Sequence, residues 1–217
     1  MPGADREFDR SRAVVVTGIG AVGPLGWSVE SLWEGLIAGR TAVGPFDRFD
    51  HTGHRTHVAA QVDLAAEPRR ARGKPRRISN ADRFAVAAAR SAVARAAIDP
   101  RDRRERAGVF FGSSTGGMFE SEAYLAALLA PAPGHRRPPA ASLLASQQNN
   151  GPGDAVARDL GVGGPVQSVS AACASGAIAI GEAVNAIRRG EVEVAIAGGS
   201  DSLCRLTYAG FNALRAV

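Results

Sequence analysis

The sequence is poor in thiols and in lysine. Cys173 and Cys204 are its two cysteines, and Lys74 is its single lysine among 217 residues. So few cysteines do not provide the disulfide framework of a small secreted domain, and the charged N-terminus lacks the apolar core of a secretory signal. We therefore expect a reducing compartment, by default the cytoplasm, and no disulfide between the two thiols.

Long apolar runs are absent as well. No apolar stretch reaches the length of about eighteen residues that a membrane-spanning helix needs, so no membrane contact is predicted. Hydrophobic residues make up 45% of the chain and charged residues 22%, as in ordinary globular domains. Residues 1–11 are expected to be flexible, and the remaining chain is long enough to bury a sizeable core.

Arginine supplies most of the positive charge, and much of it lies in one stretch. The formal net charge is +5. The basic stretch contains Arg69, Arg70, Arg72, Lys74, Arg76 and Arg77. Such a patch can bind nucleic acid, but no aromatic residue is interleaved with it and no recognition helix is predicted beside it. An acidic protein partner and plain solvation are at least as consistent with the stretch.

Short β-branched runs alternate with helical patterns along the chain. The predicted strands cover residues 13–17, 107–111, 166–171 and 192–197. The predicted helices cover residues 27–38, 80–97, 119–129 and 174–189, with a further helical region at 142–160 that is interrupted near Pro152. Residues 40–77 are expected to form an irregular surface excursion with one weak strand at 57–62. This alternation predicts an α/β fold with a largely parallel sheet.

Three glycines after the first predicted strand match a dinucleotide-binding fingerprint. Gly18, Gly20 and Gly23 have the required spacing. The fingerprint needs a helix that begins within the glycines, so that its N-terminus meets the pyrophosphate. Here Pro24 follows, and the helical pattern begins only near Ser28. A nicotinamide oxidoreductase is therefore a minor alternative, and no cofactor is predicted.

Cys173 lies between a predicted strand and a predicted helix, in the segment SVSAACASGA. Unpaired N–H groups and the positive end of the helix dipole favour the thiolate, which is the nucleophilic form of cysteine. Its neighbours Ala172 and Ala174 are small, which leaves room for a substrate beside the sulfur. A buried structural cysteine and a catalytic nucleophile are both consistent with this pattern.

The four histidines do not form a recognisable site. His51, His54 and His57 are spaced three residues apart, which raises the question of a metal site, but the spacing does not fall on a predicted helix. His135 lies among prolines and arginines. We expect exposed loop histidines and no bound metal.

Several segments taken together identify a family. VVVTGIGAVGPLG, GVFFGSSTGGM, SAACASGAIAIGEA and AIRRGEVEVAIAGGSDS occur in this order. They resemble the β-ketoacyl-acyl-carrier-protein synthases of the elongating type, which are condensing enzymes of the thiolase fold. The resemblance implies that residues 12–217 form a thiolase-like, layered α/β half with a mostly parallel sheet. It also implies that a helix carries the nucleophile Cys173 at its N-terminus.

The resemblance implies a reaction and partners. The Cys173 thiolate would take an acyl group from an acyl carrier protein, and the carbanion of a decarboxylated malonyl thioester would attack that acyl group. The backbone N–H of Cys173 would be one oxyanion donor, and Thr115 and Gly116 would lie at the acyl pocket unless they are only turn residues. The basic stretch would face the carrier protein, which then outranks nucleic acid. A homodimer or a ketosynthase heterodimer is expected, in fatty-acid or polyketide synthesis.

The family has two similar halves, and the histidines of the condensation step lie in the second half. The resemblance implies that this chain corresponds to the N-terminal half without the C-terminal half, and we expect a fragment of a longer reading frame. We expect that the chain alone does not condense. The main alternative is a non-catalytic half-domain that binds or scaffolds a carrier protein.

Overall fold

The computed structural model describes residues 13–68, 78–130, 138–144 and 147–216. The strands are β1 Val43–Pro45, β2 Val58–Ala60, β3 Ala107–Gly112, β4 Val166–Val169 and β5 Val194–Gly199. The helices are α1 Val29–Ile37, α2 Asn80–Ala96, α3 Met118–Leu129, α4 Gly151–Leu160, α5 Ser175–Arg188 and α6 Arg205–Ala213. Short 3₁₀ helices cover Pro100–Arg106, Ala141–Leu144 and Ala172–Ala174. Within the described ranges, no helix combines the length and the apolar character that a membrane span requires.

A parallel sheet of three strands, in the order β4-β3-β5, forms the centre of the fold. Val109 of β3 lies opposite Val166 of β4 on one side and opposite Ile196 of β5 on the other. Every residue of β3 is buried, which is the pattern of a central strand covered on both faces. The predicted α/β fold with a mostly parallel sheet is confirmed.

Helices pack on both faces of the sheet, and the alternation of side chains along β3 divides the core into two clusters. Val109 and Phe111 point to the face where buried alanines and valines of α2 and α4 pack. Phe110 points to the opposite face and contacts Ala183 and Ala186 of α5. The sheet therefore lies between two layers of helix, with α2 and α4 on one face and α5 on the other.

The first predicted strand is not formed. Residues 13–20 have no regular secondary structure, and Val15 and Val16 are 72% and 79% exposed. A β-branched run holds a strand only when a neighbouring strand completes its hydrogen-bond ladder, and no strand of the described chain pairs with this run. The prediction from local composition was therefore wrong for this segment.

Two of the three glycines of the dinucleotide fingerprint, Gly18 and Gly20, serve close packing, whereas a Cβ atom at Gly23 would have open space. A Cβ atom at Gly18 would lie 2.9 Å from the backbone nitrogen of Ala96, and one at Gly20 would lie 2.7 Å from the carbonyl carbon of Ala88. Both positions are thus filled by the backbone of α2, and α1 begins only at Val29. The loop does not have a helix N-terminus where a pyrophosphate would need it.

Pro152 and its flanking glycines begin a helix and do not interrupt one. Helix α4 starts at Gly151 with Pro152 in its first turn. Proline is well tolerated there, because the backbone N–H that it lacks would have no partner within the helix. The long helical region predicted at 142–160 is therefore a short 3₁₀ helix followed by a separate α-helix.

The predicted surface excursion is only partly correct. Strand β1, which lies where no strand was predicted, pairs antiparallel with β2, which lies within the weak strand predicted at 57–62. Phe46 and Phe49 are buried against Tyr208 of α6, a helix that the sequence analysis did not predict. Residues 40–67 are thus anchored to the C-terminal part of the chain through an aromatic cluster.

Candidate active site

The loops that follow β3, β4 and β5 meet at one edge of the sheet. This convergence follows from the parallel arrangement, because the carboxyl ends of parallel strands lie side by side. Backbone bonds extend the ladder into the loops: Ser113 N–H donates to the Val169 carbonyl at 3.0 Å, and Ser200 N–H donates to the Gly112 carbonyl at 3.0 Å. Cys173 belongs to the loop after β4.

Cys173 lies in the 3₁₀ turn directly before α5 and is exposed. Ala172, the residue before it, has a φ of 47°, a left-handed conformation that costs about 1–2 kcal/mol for a residue with a Cβ atom. No acceptor among the described residues is hydrogen-bonded to the Cys173 backbone N–H. The turn therefore presents a thiol and a free N–H donor together, and the prediction of a cysteine at a helix N-terminus agrees with this placement.

Two serine hydroxyls brace the turn. The buried Ser175 hydroxyl accepts a bond from the Ala171 N–H at 2.8 Å and donates to the Ala172 carbonyl at 2.7 Å. The Ser114 hydroxyl, from the loop after β3, donates to the same carbonyl at 2.9 Å. The strained backbone next to Cys173 is thus held by side chains from two elements.

Asp201, in the loop after β5, organises the loop after β3. Its Oδ1 atom accepts bonds from the Ser113 hydroxyl at 2.9 Å, the Ser114 N–H at 2.9 Å, the Thr115 N–H at 2.8 Å and the Thr115 hydroxyl at 3.0 Å. A single carboxylate oxygen therefore fixes three successive residues. Most of these residues were not predicted from the sequence, although polar residues directly after neighbouring buried strands are a signal for such a cluster; the unpredicted residues are Asp201, Ser113, Ser114 and Ser175.

Thr115 and Gly116, predicted at the acyl pocket, lie in this same loop. The Thr115 hydroxyl is bonded to Asp201. Gly116 is buried with a φ of 50°, and a Cβ atom there would lie 2.7 Å from the Gln148 carbonyl oxygen. Glycine is therefore required at 116 for conformation and for space. The role of both residues in acyl binding stays a prediction.

Cys204 has a different environment from Cys173. It is fully buried, and its sulfur lies 3.0 Å from the Thr207 hydroxyl oxygen. Burial raises the pKa of the Cys204 thiol, because an apolar surrounding disfavours the thiolate. Of the two thiols, only Cys173 is presented to solvent.

The structure does not place every residue that the sequence singled out. The basic stretch from Arg69 to Arg77 and His135 lie outside the described residues. His51 and His57 face each other with their Nδ1 atoms 2.8 Å apart, and the His51 Nε2 donates to the Phe46 carbonyl at 3.1 Å. In the part of the chain that the structure describes, no three histidine, cysteine or acidic side chains are grouped as metal ligands.

Comparison with known proteins decides the family. Residues 11–217 match the family model of the N-terminal domain of beta-ketoacyl synthases. The chain belongs to the β-ketoacyl synthase family. The resemblance drawn from the sequence motifs is thereby confirmed. Among curated β-ketoacyl synthases, 3-oxoacyl-[acyl-carrier-protein] synthase 2 of Staphylococcus aureus (strain N315) is 32% identical over 213 residues, which is 97% of this chain and 51% of that protein.

Solved ketosynthase structures share the fold. The ishigamide ketosynthase/chain length factor matches with a TM-score of 0.82 and 32% identity over 92% of this chain and 50% of the matched chain. A complex of a type II polyketide synthase acyl-carrier protein with its ketosynthase, AntDE:AntF, matches with a TM-score of 0.77 and 26% identity over 94% and 49%. The chain spans about half the length of the curated relatives it matches.

Proposed function

We propose that residues 12–217 form the N-terminal domain of a β-ketoacyl-acyl-carrier-protein synthase, in which Cys173 accepts the acyl group. The observation that carries this proposal is the exposed Cys173 in the turn before α5, beside its own unpaired N–H. The N-terminal domain family match and the condensing relatives support the reaction class. A free exposed thiol also suits a reducing compartment, so we propose the cytoplasm as the location.

The first step is a transthioesterification. The Cys173 thiolate attacks the carbonyl carbon of an acyl thioester on the carrier protein, and the carbonyl electrons move to oxygen. The Cys173 N–H donates a hydrogen bond to that oxyanion, a type of contact that stabilises the negative charge that develops in the transition state. When the intermediate collapses, the carrier's thiolate leaves and the acyl group stays on Cys173. The neighbouring Thr115 and Gly116 would contact the acyl chain.

The second step forms the new carbon–carbon bond. A malonyl thioester loses carbon dioxide, and its enolate carbon attacks the acyl carbonyl on Cys173. The carbon–sulfur bond to Cys173 breaks, which returns the thiolate and releases a β-ketoacyl thioester. We propose that the groups for decarboxylation come from the second half of the enzyme, and that residues 12–217 alone do not condense.

Two partners follow from this proposal. The basic stretch, Arg69 to Arg77, would attract an acidic acyl carrier protein by charge complementarity. A structural relative, AntDE:AntF, is a ketosynthase in complex with its acyl-carrier protein, which supports a carrier protein as the partner. A second ketosynthase-type subunit would complete a homodimer or heterodimer, as the ketosynthase/chain length factor pair does in another relative.

Acyl transfer to the thiol tests the function. The chain is mixed with an acyl-acyl carrier protein, and peptide mass spectrometry locates the added acyl group. We expect the group on Cys173, no acylation in Cys173→Ser, and unchanged acylation in Cys204→Ser, which serves as the matched control because Cys204 is buried. Absence of acylation would favour the non-catalytic binding half-domain, and equal labelling of both thiols would contradict a selectively exposed nucleophile.

A further inference from the structure

We propose that Asp201, Ser114 and Ser175 are positioning residues that aim the backbone N–H of Cys173 at the oxyanion. This inference rests on the proposed role of Cys173 as the acyl acceptor. It adds residues outside the nucleophile turn, which is the 3₁₀ turn Ala172–Ala174 that carries Cys173. It starts from the peptide bond between Ala172 and Cys173, which contributes both the Ala172 carbonyl and the Cys173 N–H. A trans peptide is planar, so these two groups point in opposite directions within one rigid unit. Whatever fixes the carbonyl also fixes the N–H.

Three donors converge on the Ala172 carbonyl oxygen. They are the Ser175 N–H, the Ser175 hydroxyl at 2.7 Å and the Ser114 hydroxyl at 2.9 Å. The carbonyl is consequently held on the side of α5 and the loop after β3, and the Cys173 N–H is directed away from both. This geometry agrees with the absence of a hydrogen-bond acceptor for that N–H among the described residues.

The backbone of Ala172 needs this support. Its φ of 47° belongs to the left-handed region, which a residue with a Cβ atom leaves readily unless the surroundings hold it. Rotation of the turn back to a relaxed conformation would swing the peptide plane and turn the Cys173 N–H away from the substrate. The hydroxyls of Ser114 and Ser175 oppose that rotation.

Asp201 fixes Ser114 in turn. Its carboxylate accepts the Ser114 N–H with both oxygens, at 2.9 Å and 3.2 Å, and also binds the flanking Ser113 hydroxyl and Thr115 N–H. Bonds to an ionised acceptor are stronger than bonds between neutral groups, so the carboxylate is a firm anchor for this loop. Asp201 is thereby linked to the Ala172–Cys173 peptide through a single intermediate residue, Ser114.

Two reactions of Cys173 distinguish a loss of N–H positioning from a general loss of structure in a variant. Transfer from an acyl N-acetylcysteamine thioester builds an oxyanion, whereas alkylation by iodoacetamide does not. We expect acyl transfer to Asp201→Ala and to Ser114→Ala to slow about tenfold, because small displacements of an oriented group are costly. Alkylation of Cys173 in the same variants should stay within about twofold of the wild type, since it uses no oxyanion donor.

Conservative and neighbouring variants complete the experiment. Ser114→Thr keeps the hydroxyl and should restore acyl transfer. Ser170→Ala alters a hydroxyl near the turn that is bonded to Asn149 and not to Ala172, so it should react like the wild type. Equal acyl transfer by wild type, Asp201→Ala and Ser114→Ala would overturn the positioning role while leaving the nucleophile intact. A parallel loss of acylation and alkylation would also overturn it, and a wild type that takes no acyl group would refute the proposed function itself.

Discussion

Replacement of Gly112 by alanine should damage the fold at the nucleophile turn. Gly112 ends the central strand β3 directly beneath the N-terminus of α5. A Cβ atom at this position would lie 2.5 Å from the Gly176 nitrogen and 2.5 Å from the Ser175 carbonyl oxygen. Both are backbone atoms, so no flexible side chain can move aside, and either β3 or the start of α5 must shift.

The expected cost of Gly112→Ala is about 3 kcal/mol of unfolding free energy, at the upper end of the range for overpacking of a core. In a domain of this size that cost lowers the melting temperature by about 6–12 °C. Circular dichroism during thermal and urea unfolding measures both quantities. Because the shift falls on the first turn of α5, acylation of Cys173 should also slow in the fraction that remains folded.

Gly181→Ala provides the matched control for this substitution. Gly181 lies in α5, the helix that Gly112 approaches, and it is exposed. A Cβ atom added at Gly181 would have no other atom within 4 Å. Alanine is the better helix former, so this variant should gain about 0.5–1 kcal/mol. If Gly112→Ala melted within about 1 °C of the wild type, the close approach of β3 to α5 would be refuted.

Three further outcomes are expected. Burial raises the pKa of Glu120, so the folded state holds this proton more tightly than the unfolded chain, and the contribution of Glu120 to stability is lost as the pH rises above about 4.5. Glu120→Gln should lack this contribution, so the difference in unfolding free energy between the two proteins should change between pH 4 and pH 8 in urea unfolding, and an unchanged difference would refute the assignment. The Asn212 Oδ1 atom accepts the N–H groups of Arg55 and Thr56, so Asn212→Ala should cost about 1–3 kcal/mol in urea unfolding; an unchanged midpoint would contradict this anchoring. Exchange of Arg69 and Arg70 for glutamate should weaken binding of an acyl carrier protein in a calorimetric titration, with a smaller difference at high salt; equal affinities would remove the basic stretch from the interface.

Local pattern was sufficient for several elements. The residues around Ser28 predicted the start of α1, where the structure has Ser28 and Ser31 in a reciprocal cap. The apolar run before Gly112 predicted a strand at 107–111, and β3 forms there with every residue buried. The segment around Cys173 predicted a cysteine between a strand and a helix and left a buried or a catalytic thiol open, and the structure has the thiol exposed directly before α5. In each case the interactions that decide the local structure involve only a few residues that are neighbours in the sequence.

Other features were missed because their causes lie far away in the sequence. Val15 and Val16 have strong β propensity but no partner strand in the described chain, so their run stays irregular. Helix α6 packs through Tyr208 against Phe46 and Phe49, which precede the helix by well over a hundred residues. The residues of α6 alone do not show that this contact forms. Pro152 alone does not show whether a helix is interrupted or begins there, since proline is found in both situations.

The sequence by itself determined the family and the α/β class and singled out Cys173 as the candidate nucleophile, because these depend on residue types in a fixed order. Only the tertiary structure joined Asp201 to Ser114, which are 87 positions apart, and Ser114 to the Ala172 carbonyl, 58 positions further along the chain. The strand order β4-β3-β5 brings these loops to one edge of the sheet. Strand order is a property of which faces and edges pack together, so a local pattern cannot encode the contacts that hold the Cys173 turn.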